Sequence, residues 1–237
     1  AQLRTEKLTA MGRMSAAVAH EIRNPLAAIA QANGLLAEEL ADPGHQQLTT
    51  LVSKNAQRLS QIVEEILNLA RVHPRSVDWL ELDPVVHGLA MEWARHAEPG
   101  DRLQVQLRSS PAWAAFVGEH LRRVLVNLLD NALRYASQRT PSIIVATDVA
   151  GIHARVQVWS DGAPLGASVQ RHLFEPFFSS ESRSSGLGLY ICRELCDRHG
   201  AKISYARADA PDGSGLEGNS FTVTFLTRTS MVPGSSP

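Results

Sequence analysis

The chain has 237 residues, of which 44% are hydrophobic, and its 23 basic and 24 acidic side chains leave a formal net charge of −1. This length suits one large domain or two small ones, and the balanced charge excludes a general attraction to nucleic acid or to an anionic membrane surface. No apolar run approaches the roughly 20 residues needed to cross a bilayer. We therefore expect a globular protein with no nucleic-acid partner and no membrane contact by this part of the chain.

Two amphipathic helices are predicted at the start of the chain. Residues 2–40 form the first, in which Pro25 is expected to introduce a bend. Its packing seam has alternating spacings of three and four, at Ser15, Val18, Ile22, Pro25, Ile29, Ala32 and Leu36. After a turn at 41–44, the seam of the second helix comprises Leu48, Val52, Asn55, Leu59, Ile62, Ile66 and Leu69. Because one hairpin does not bury both seams, the pattern predicts a homodimer with a four-helix bundle.

A histidine lies opposite the seam of the first helix. Counted from the seam, His20 falls on the solvent side, with Glu21 beside it and Asn24 one turn further along the same face. An exposed imidazole is a nucleophile at neutral pH. The alternative interpretation is a surface histidine without a chemical role.

The heptad pattern stops at residues 72–76, where we place a domain boundary, so that residues 1–74 form the hairpin and residues 75–229 a second domain. In the second domain we predict strands at 79–82, 103–107, 143–147, 153–159, 201–206 and 220–226, and helices at 119–137 and 186–199. Helices mixed with a sheet in this order are typical of an α+β two-layer sandwich. Residues 230–237, rich in Ser, Pro and Gly, are expected to form a disordered tail.

Two motifs in the second domain suit a nucleotide. Asn127 and Asn131 are four residues apart on one helix face, and their side-chain oxygens are ligands that Mg²⁺ accepts. Gly186 and Gly188 open the next helix, where unpaired N–H groups and the helix dipole favour phosphate. Taken alone, an asparagine pair on a helix usually belongs to a solvated face. A Gly-x-Gly motif alone is weak evidence for a nucleotide site.

Together these motifs resemble those of the sensor histidine kinases of two-component systems. The stretch AHEIRNPLAAI at 19–29 is similar to their phosphoacceptor box, and NLLDNALRYAS at 127–137 resembles the asparagine box shared with the wider ATPase superfamily of gyrase and Hsp90. FEPFFSS at 174–180, followed by SSGLGLYI at 184–191, resembles the lid and second glycine box. The resemblance implies a dimeric hairpin followed by a Bergerat (GHKL) ATPase sandwich, with ATP, Mg²⁺ and a response regulator receiver domain as ligands and partner.

The same resemblance assigns residue roles. His20 would accept the phosphoryl group, Glu21 would orient the imidazole, and Asn24 would align water for a phosphatase activity. Asn131, with Asn127 beside it, would hold the metal, Arg134 would meet a phosphate, and Tyr135 would stack on adenine. Residues 179–185 would be the mobile lid. The remaining residues assigned to the nucleotide are Ser160, Asp161, Gly162, Phe178, Arg183, Ser185, Gly186, Leu187 and Gly188.

One box departs from the family pattern, Asp-x-Gly-x-Gly, whose aspartate accepts a hydrogen bond from the adenine amino group. When Gly162 is aligned with the first family glycine, Ser160 stands at the aspartate position and Pro164 at the second glycine. Alignment through Asp161 instead shifts the strand end by one residue and turns the side chain to the opposite face. Glu181 stands where the lid usually has lysine. We expect weaker or less selective ATP binding than in relatives.

Two other classes of function compete with an active kinase. One is a pseudokinase whose altered glycine box leaves a dimeric phosphatase or regulatory binding partner. The other is a superfamily ATPase without histidine transfer, which the His20 box and the heptad hairpin disfavour. Cys192 and Cys196 are expected to be buried thiols in a reducing cytoplasm. Because the chain starts inside a helical pattern, we expect a piece of a longer protein with a sensory part upstream. The family resemblance implies an inner-membrane anchor in the full-length protein.

Overall fold

The computed structural model describes residues 2–70, 77–178 and 186–228, and at 2–20, 61, 64–70 and 228 it describes the backbone alone. The chain divides into two compact units, one of residues 1–74 with 181–187 and one of residues 75–180 with 188–237. In the described ranges, no helix combines the length and the apolar character that a membrane span requires.

The N-terminal unit is a helical hairpin. Helix α1 spans Gln2–Glu39 and continues through Pro25, and helix α2 spans Pro43–Ala70. The Asp42 carboxylate accepts hydrogen bonds from the backbone N–H groups of Gly44 (2.8 Å) and His45 (3.1 Å), which caps the start of α2. Proline suits the position after the cap because its missing N–H is not needed there. The predicted turn at 41–44 is therefore wrong by two residues, since Pro43 and Gly44 already belong to the helix.

The two helices pack through a face that differs from the predicted seams. The side chains buried between them are Leu26, Asn33, Thr49, Ala56 and Val63. The Asn33 side-chain amide donates to the Thr49 carbonyl oxygen (2.7 Å) and to the Ser53 hydroxyl (2.8 Å). Two polar residues are thus buried at the contact because each finds a hydrogen-bond partner there.

The predicted seams do not form the contact between the two helices of one chain. Ile22, Ile29 and Leu36 of α1 are 42%, 48% and 50% exposed. Three residues of the α2 seam are exposed as well: Leu48, Val52 and Leu59. The hairpin therefore presents an apolar stripe on its outer surface, which a single chain leaves uncovered.

The second unit contains both helices and strands. Its helices are α3 (Leu82–Ala97), α4 (Gly118–Tyr135), α5 (Ala167–His172) and α6 (Gly188–Arg198). Its strands are β1 (Asp78–Glu81), β2 (Leu103–Leu107), β3 (Trp113–Phe116), β4 (Ile143–Ala150), β5 (His153–Ser160), β6 (Lys202–Asp209) and β7 (Glu217–Arg228). The sheet order is β1-β3-β7-β5-β4-β2, and β6 also pairs with β7. Strands β2 and β4 are parallel and the other pairs are antiparallel. The predicted α+β sandwich is confirmed.

Helix α4 positions most of the candidate site. Its apolar side chains recur every three or four residues and are buried, at Leu121, Val124, Leu125, Leu128, Leu129 and Ala132. This face packs against β5 and α6. On the other face of the sheet, Trp159 packs with Ile144 and Ala210, and its indole N–H donates to the Ala208 carbonyl (3.0 Å). The polar side of α4, which carries the two asparagines, is left at the edge of the helical layer.

A buried carboxylate joins α3 to the sheet. Asp83 accepts hydrogen bonds from the Ser109 hydroxyl, from the Ser110 backbone N–H (3.0 Å) and from the Thr147 hydroxyl (2.6 Å). These donors come from the loop after β2 and from β4, so one side chain fixes three segments. Burial of the carboxylate is tolerated because these hydrogen bonds replace its water shell.

Two histidines form a hydrogen bond between the start of α4 and the end of α6. Nδ1 of His120 lies 2.8 Å from Nε2 of His199, and the His199 ring lies 4.3 Å from that of Phe116. Burial lowers the pKa of His199, and the charges of His120 and Arg198 lower it further. The hydrogen bond needs one neutral ring as acceptor, so it is lost when both rings are protonated.

We expect this histidine pair to make unfolding depend on pH. Because the pKa of His199 is lower in the folded chain than the ordinary 6.5, the unfolded chain binds more protons, and stability falls as the pH drops below about 6.5. Urea unfolding at pH 8 and pH 5.5 measures the effect. The pH dependence should be smaller for His199→Gln and unchanged for His45→Gln, which alters an exposed histidine. An equal pH dependence in His199→Gln would contradict the assignment.

Candidate functional site

The polar edge of α4 meets the start of α6. Asn127 and Asn131 are both half-buried on this edge. The Asn127 side-chain N–H donates to the Arg123 carbonyl oxygen (3.0 Å), and a Cβ placed on Gly188 would lie 3.0 Å from Asn127 Oδ1. The missing side chain of Gly188 therefore lets an amide oxygen from α4 approach the first residue of α6.

The start of α6 is shaped by glycines. Gly186 has a φ of +68°, a left-handed conformation that glycine adopts at no steric cost, and Gly188 is the first helical residue. Leu187 between them is buried. The first turn of α6 carries no acidic side chain, and the first N–H groups of a helix, which lack intrahelical acceptors, together with the helix dipole suit an anion. The helix begins two residues later than predicted from the sequence.

The other end of α4 contacts the loop that follows β5. A Cβ placed on Gly162 would lie 2.8 Å from the carbonyl oxygen of Tyr135, the last residue of α4, so only glycine fits this approach. Arg134 and Tyr135 are both exposed here. At 1.5 Å per residue, the eight residues from Asn127 to Tyr135 span roughly 12 Å. The stretch of α4 between these two contacts is the candidate site.

The two candidates for the base-binding position lie in different environments. Ser160 is the last residue of β5 and is 5% exposed, opposite Ile143 on β4 and Asn219 on β7. The Asp161 carboxylate accepts hydrogen bonds from the backbone N–H (2.8 Å) and the hydroxyl (2.5 Å) of Ser137. Asp161 therefore holds the loop after α4, and the buried position at the strand end is occupied by a neutral hydroxyl.

The aromatic segment at residues 174–178 contacts the sheet and α5. Phe174 packs at 6.5 Å from Phe221, and Phe178 lies half-buried at 5.5 Å from His172. Phe177 has a φ of +61° and is 57% exposed. The predicted site residues Arg183 and Ser185, and the predicted lid at 179–185, lie outside the described residues.

The predicted phosphoacceptor box lies on α1. His20 is helical in its backbone, and its side chain lies outside the described part of the chain, so its predicted orientation stays a prediction. Glu21 and Asn24 are exposed.

The chemistry of the donors at the α4 edge fits a hard cation. Among the described residues, no group of three or more His, Cys, Asp or Glu side chains forms a metal cluster. The oxygens at this edge are side-chain amides, and neutral oxygens combine with phosphate oxygens to bind Mg²⁺.

The prediction that Cys192 and Cys196 are buried free thiols is confirmed, and burial raises the pKa of both.

Three residues that hold this site were missed from the sequence. Arg207, Asn219 and Ser137 all bind the loop after β5, from positions 12 or more residues away in the chain. Their partners become neighbours only through the strand order, so no local spacing indicates them.

Comparison with known proteins matches both segments. A family model described as "Histidine kinase-, DNA gyrase B-, and HSP90-like ATPase" matches residues 116–229, and one described as "His Kinase A (phospho-acceptor) domain" matches residues 10–75. The sensor protein kinase PilS of Pseudomonas aeruginosa is 33% identical over 229 residues, which cover 94% of this chain and 42% of PilS. The sensor histidine kinase ZraS of Escherichia coli K12 is 29% identical over 227 residues, covering 93% of this chain and 46% of ZraS. The chain spans less than half the length of either relative.

Two solved structures share the fold. Full-length ShkA in complex with AMPPNP has a TM-score of 0.64 at 20% identity, covering 93% of this chain and 47% of that one. Histidine kinase ThkA in complex with the response regulator TrrA has a TM-score of 0.62 at 24% identity, covering 94% and 63%. The phosphoacceptor segment, the ATPase segment and the fold agree in order and kind, and the chain therefore belongs to the sensor histidine kinases of two-component systems.

Proposed function

We propose that this chain is the catalytic core of a sensor histidine kinase, which transfers the γ-phosphoryl group of ATP to His20 and then to an aspartate of a response regulator. The observation that carries the proposal is the candidate site on α4. Asn127 faces Gly188 at one end, and Tyr135 meets Gly162 at the other. Residues 1–74 are assigned to dimerisation and phosphotransfer, and residues 75–229 to ATP binding.

Each end of the site suits one part of the nucleotide. We assign the triphosphate to the start of α6, at Gly186, Leu187 and Gly188. Arg183 and Ser185 are assigned to the nucleotide on the family resemblance. The base is placed near Tyr135, Ser160 and Gly162, with Phe178 supporting the lid. Asn131 and Asn127 are the residues that would hold Mg²⁺, which when bound draws charge from the phosphate oxygens. Arg134, an exposed cation three residues after Asn131, is assigned to a phosphate oxygen on the family resemblance.

The transfer is an in-line displacement. One ring nitrogen of His20 forms a bond to the γ-phosphorus while the bond from that phosphorus to the bridging oxygen breaks, and ADP leaves. Glu21, adjacent in sequence, orients the imidazole or takes the proton from its second nitrogen. The phosphoryl group then moves from nitrogen to a carboxylate oxygen of the regulator. Asn24 is assigned to align water against that acyl phosphate in the reverse, phosphatase direction.

Two partners follow from the hairpin. The exposed apolar stripe that includes Ile22, Ile29 and Leu36 suits a second copy of the chain, giving a homodimer with a four-helix bundle. The solved complex of ThkA with its regulator supports a receiver domain as the second partner. This portion is assigned to the cytoplasm, with the full-length protein anchored in the inner membrane, as part of a longer sensor.

Direct labelling tests the proposal. Incubation of the chain with Mg²⁺ and ATP labelled at the γ-phosphate should give a protein-bound label that is lost in acid and stable in base, which is the behaviour of phosphohistidine. A pseudokinase would bind nucleotide without acquiring label. A superfamily ATPase without histidine transfer would release labelled phosphate and leave the chain unlabelled. Either result would overturn the proposal.

The serine at the base position predicts weak discrimination between purines. Ser160 offers a neutral hydroxyl, which accepts or donates a hydrogen bond, whereas a carboxylate accepts only and binds about twice as strongly. We expect the dissociation constants for ATP and GTP to differ by less than about tenfold, since one neutral hydrogen bond contributes roughly 0.5–1.5 kcal/mol. Titration of both nucleotides into the chain measures the ratio.

The variant Ser160→Asp is the matched comparison. Its carboxylate should strengthen ATP binding and weaken GTP binding, so the preference for ATP rises. Asp161→Asn serves as the control for the neighbouring position, because that carboxylate is bound to Ser137. Tight and adenine-selective binding by the unmodified chain would defeat this prediction.

A further inference from the structure

A set of side chains on β6 and β7 holds the loop that follows β5. The Arg207 guanidinium donates to the Gly162 carbonyl oxygen at 2.7 Å, and the Asn219 side-chain N–H donates to the Ala163 carbonyl oxygen at 2.9 Å. Two consecutive carbonyls of the loop are thus fixed by two different strands.

The two side chains are also tied to each other. The Asn219 Oδ1 atom accepts hydrogen bonds from the Tyr205 hydroxyl (2.9 Å) and from Arg207 (3.3 Å). Arg207 in turn donates to the Glu217 carbonyl oxygen at 3.0 Å. Asn219 is 5% exposed, so its amide is oriented by this network rather than by solvent. We call Tyr205, Arg207 and Asn219 the strand brace.

The brace acts where the loop most needs support. Gly162 carries no side chain that could fix its own position, and it lies against the Tyr135 carbonyl oxygen at the end of α4. A loop residue that is free to move must be ordered when a ligand binds, and the conformational entropy lost weakens binding. Fixed carbonyls spare the ligand that cost.

We propose that Arg207 and Asn219 are positioning residues of the nucleotide site, which hold the 160–163 loop ready for the base. This inference rests on the proposed function. The brace binds the loop that meets Tyr135, and Tyr135 lies roughly 12 Å along α4 from Asn127 and the phosphate end. Its removal therefore weakens nucleotide binding and leaves the transfer step itself nearly unchanged.

Kinetics of the Arg207→Met variant test this separation. The KM for ATP in autophosphorylation should rise about tenfold, with kcat within about twofold, and the dissociation constant for ADP should rise by the same factor as KM. Arg207→Lys keeps a donor to the Gly162 carbonyl and should recover most of the affinity. Arg155→Met is the control, because Arg155 pairs with Asp148 on the same sheet and contacts no residue of the brace.

A second variant distinguishes loss of the brace from loss of folding in Arg207→Met. Tyr205→Phe removes only the hydroxyl that orients Asn219, and it should raise KM about threefold in the same direction. An unmodified chain that fails to label refutes the proposed function. Normal labelling with an unchanged KM in Arg207→Met and Tyr205→Phe refutes the brace alone, as does a fall in kcat that matches the rise in KM.

Discussion

Replacement of His20 by alanine is expected to lower acid-labile labelling from ATP by at least roughly a thousandfold, because the variant lacks the nucleophile. ATP binding should stay within about twofold of the unmodified chain. The residues assigned to the nucleotide belong to the α+β domain, whereas His20 belongs to the hairpin. Scintillation counting of the labelled protein and calorimetric titration of ATP measure the two properties separately.

His45→Ala is the matched control. His45 also lies on the hairpin, at the start of α2, and its side chain is 60% exposed. This variant should label at the rate of the unmodified chain. Label that persists in His20→Ala, or that disappears in His45→Ala, would assign the phosphoryl acceptor to a different residue.

The hairpin shows how far heptad patterns predict a fold. The spacing correctly predicts two helices joined by a short connection, because apolar residues recur with the helical period. It predicts the wrong inner face, since Ile22, Ile29 and Leu36 are more hydrophobic than the Asn33 that is actually buried. A pattern ranks residues by hydropathy, whereas Asn33 is buried because Thr49 and Ser53 satisfy its amide.

The α+β domain shows a different limit of prediction from sequence, which is the length of an element. Strands β2 and β5 and helix α4 are predicted to within two residues of their observed ends because their periodicity is strong. Helix α3, strand β3 and helix α5 are absent from the prediction. Strand β3 has four residues and α5 has six, too few for a period to emerge. Helix α3 starts directly after β1, and its Glu81 cap makes no side-chain hydrogen bond that a sequence motif would indicate.

The candidate site likewise has residues that local motifs indicate and residues that only the fold brings together. Local motifs indicate Asn127, Asn131 and Gly188, and the structure brings Asn127 and Gly188 into contact. The contacts of Arg207 with Gly162 and of Asn219 with Ala163 join residues 45 and 56 positions apart. Such pairs depend on the order of strands in the sheet. The sequence therefore predicts the chemistry of the site better than the supports that hold it.

Replacement of Asn131 by alanine is expected to lower labelling roughly a hundredfold, the scale on which loss of one group that stabilises developing charge is felt. Asn131 is half-buried on the edge of α4, on the same face as Asn127. Removal of one oxygen ligand should also abolish the strengthening of ATP binding by Mg²⁺. ATP titrations in Mg²⁺ and in EDTA measure that strengthening without reference to catalysis, and the affinity in EDTA should be unchanged.

Two further variants separate a metal ligand from a structural residue. Asn131→Asp keeps an oxygen at this position and should retain the Mg²⁺ dependence that Asn131→Ala loses, since Mg²⁺ readily binds carboxylates. Asn55→Ala removes an exposed asparagine that donates to the Leu51 carbonyl within α2, and it should change neither property. If Asn131→Ala binds ATP with the same response to Mg²⁺ as the unmodified chain, the amide oxygen is not a ligand. The polar edge of α4 would then bind the nucleotide through its phosphates alone.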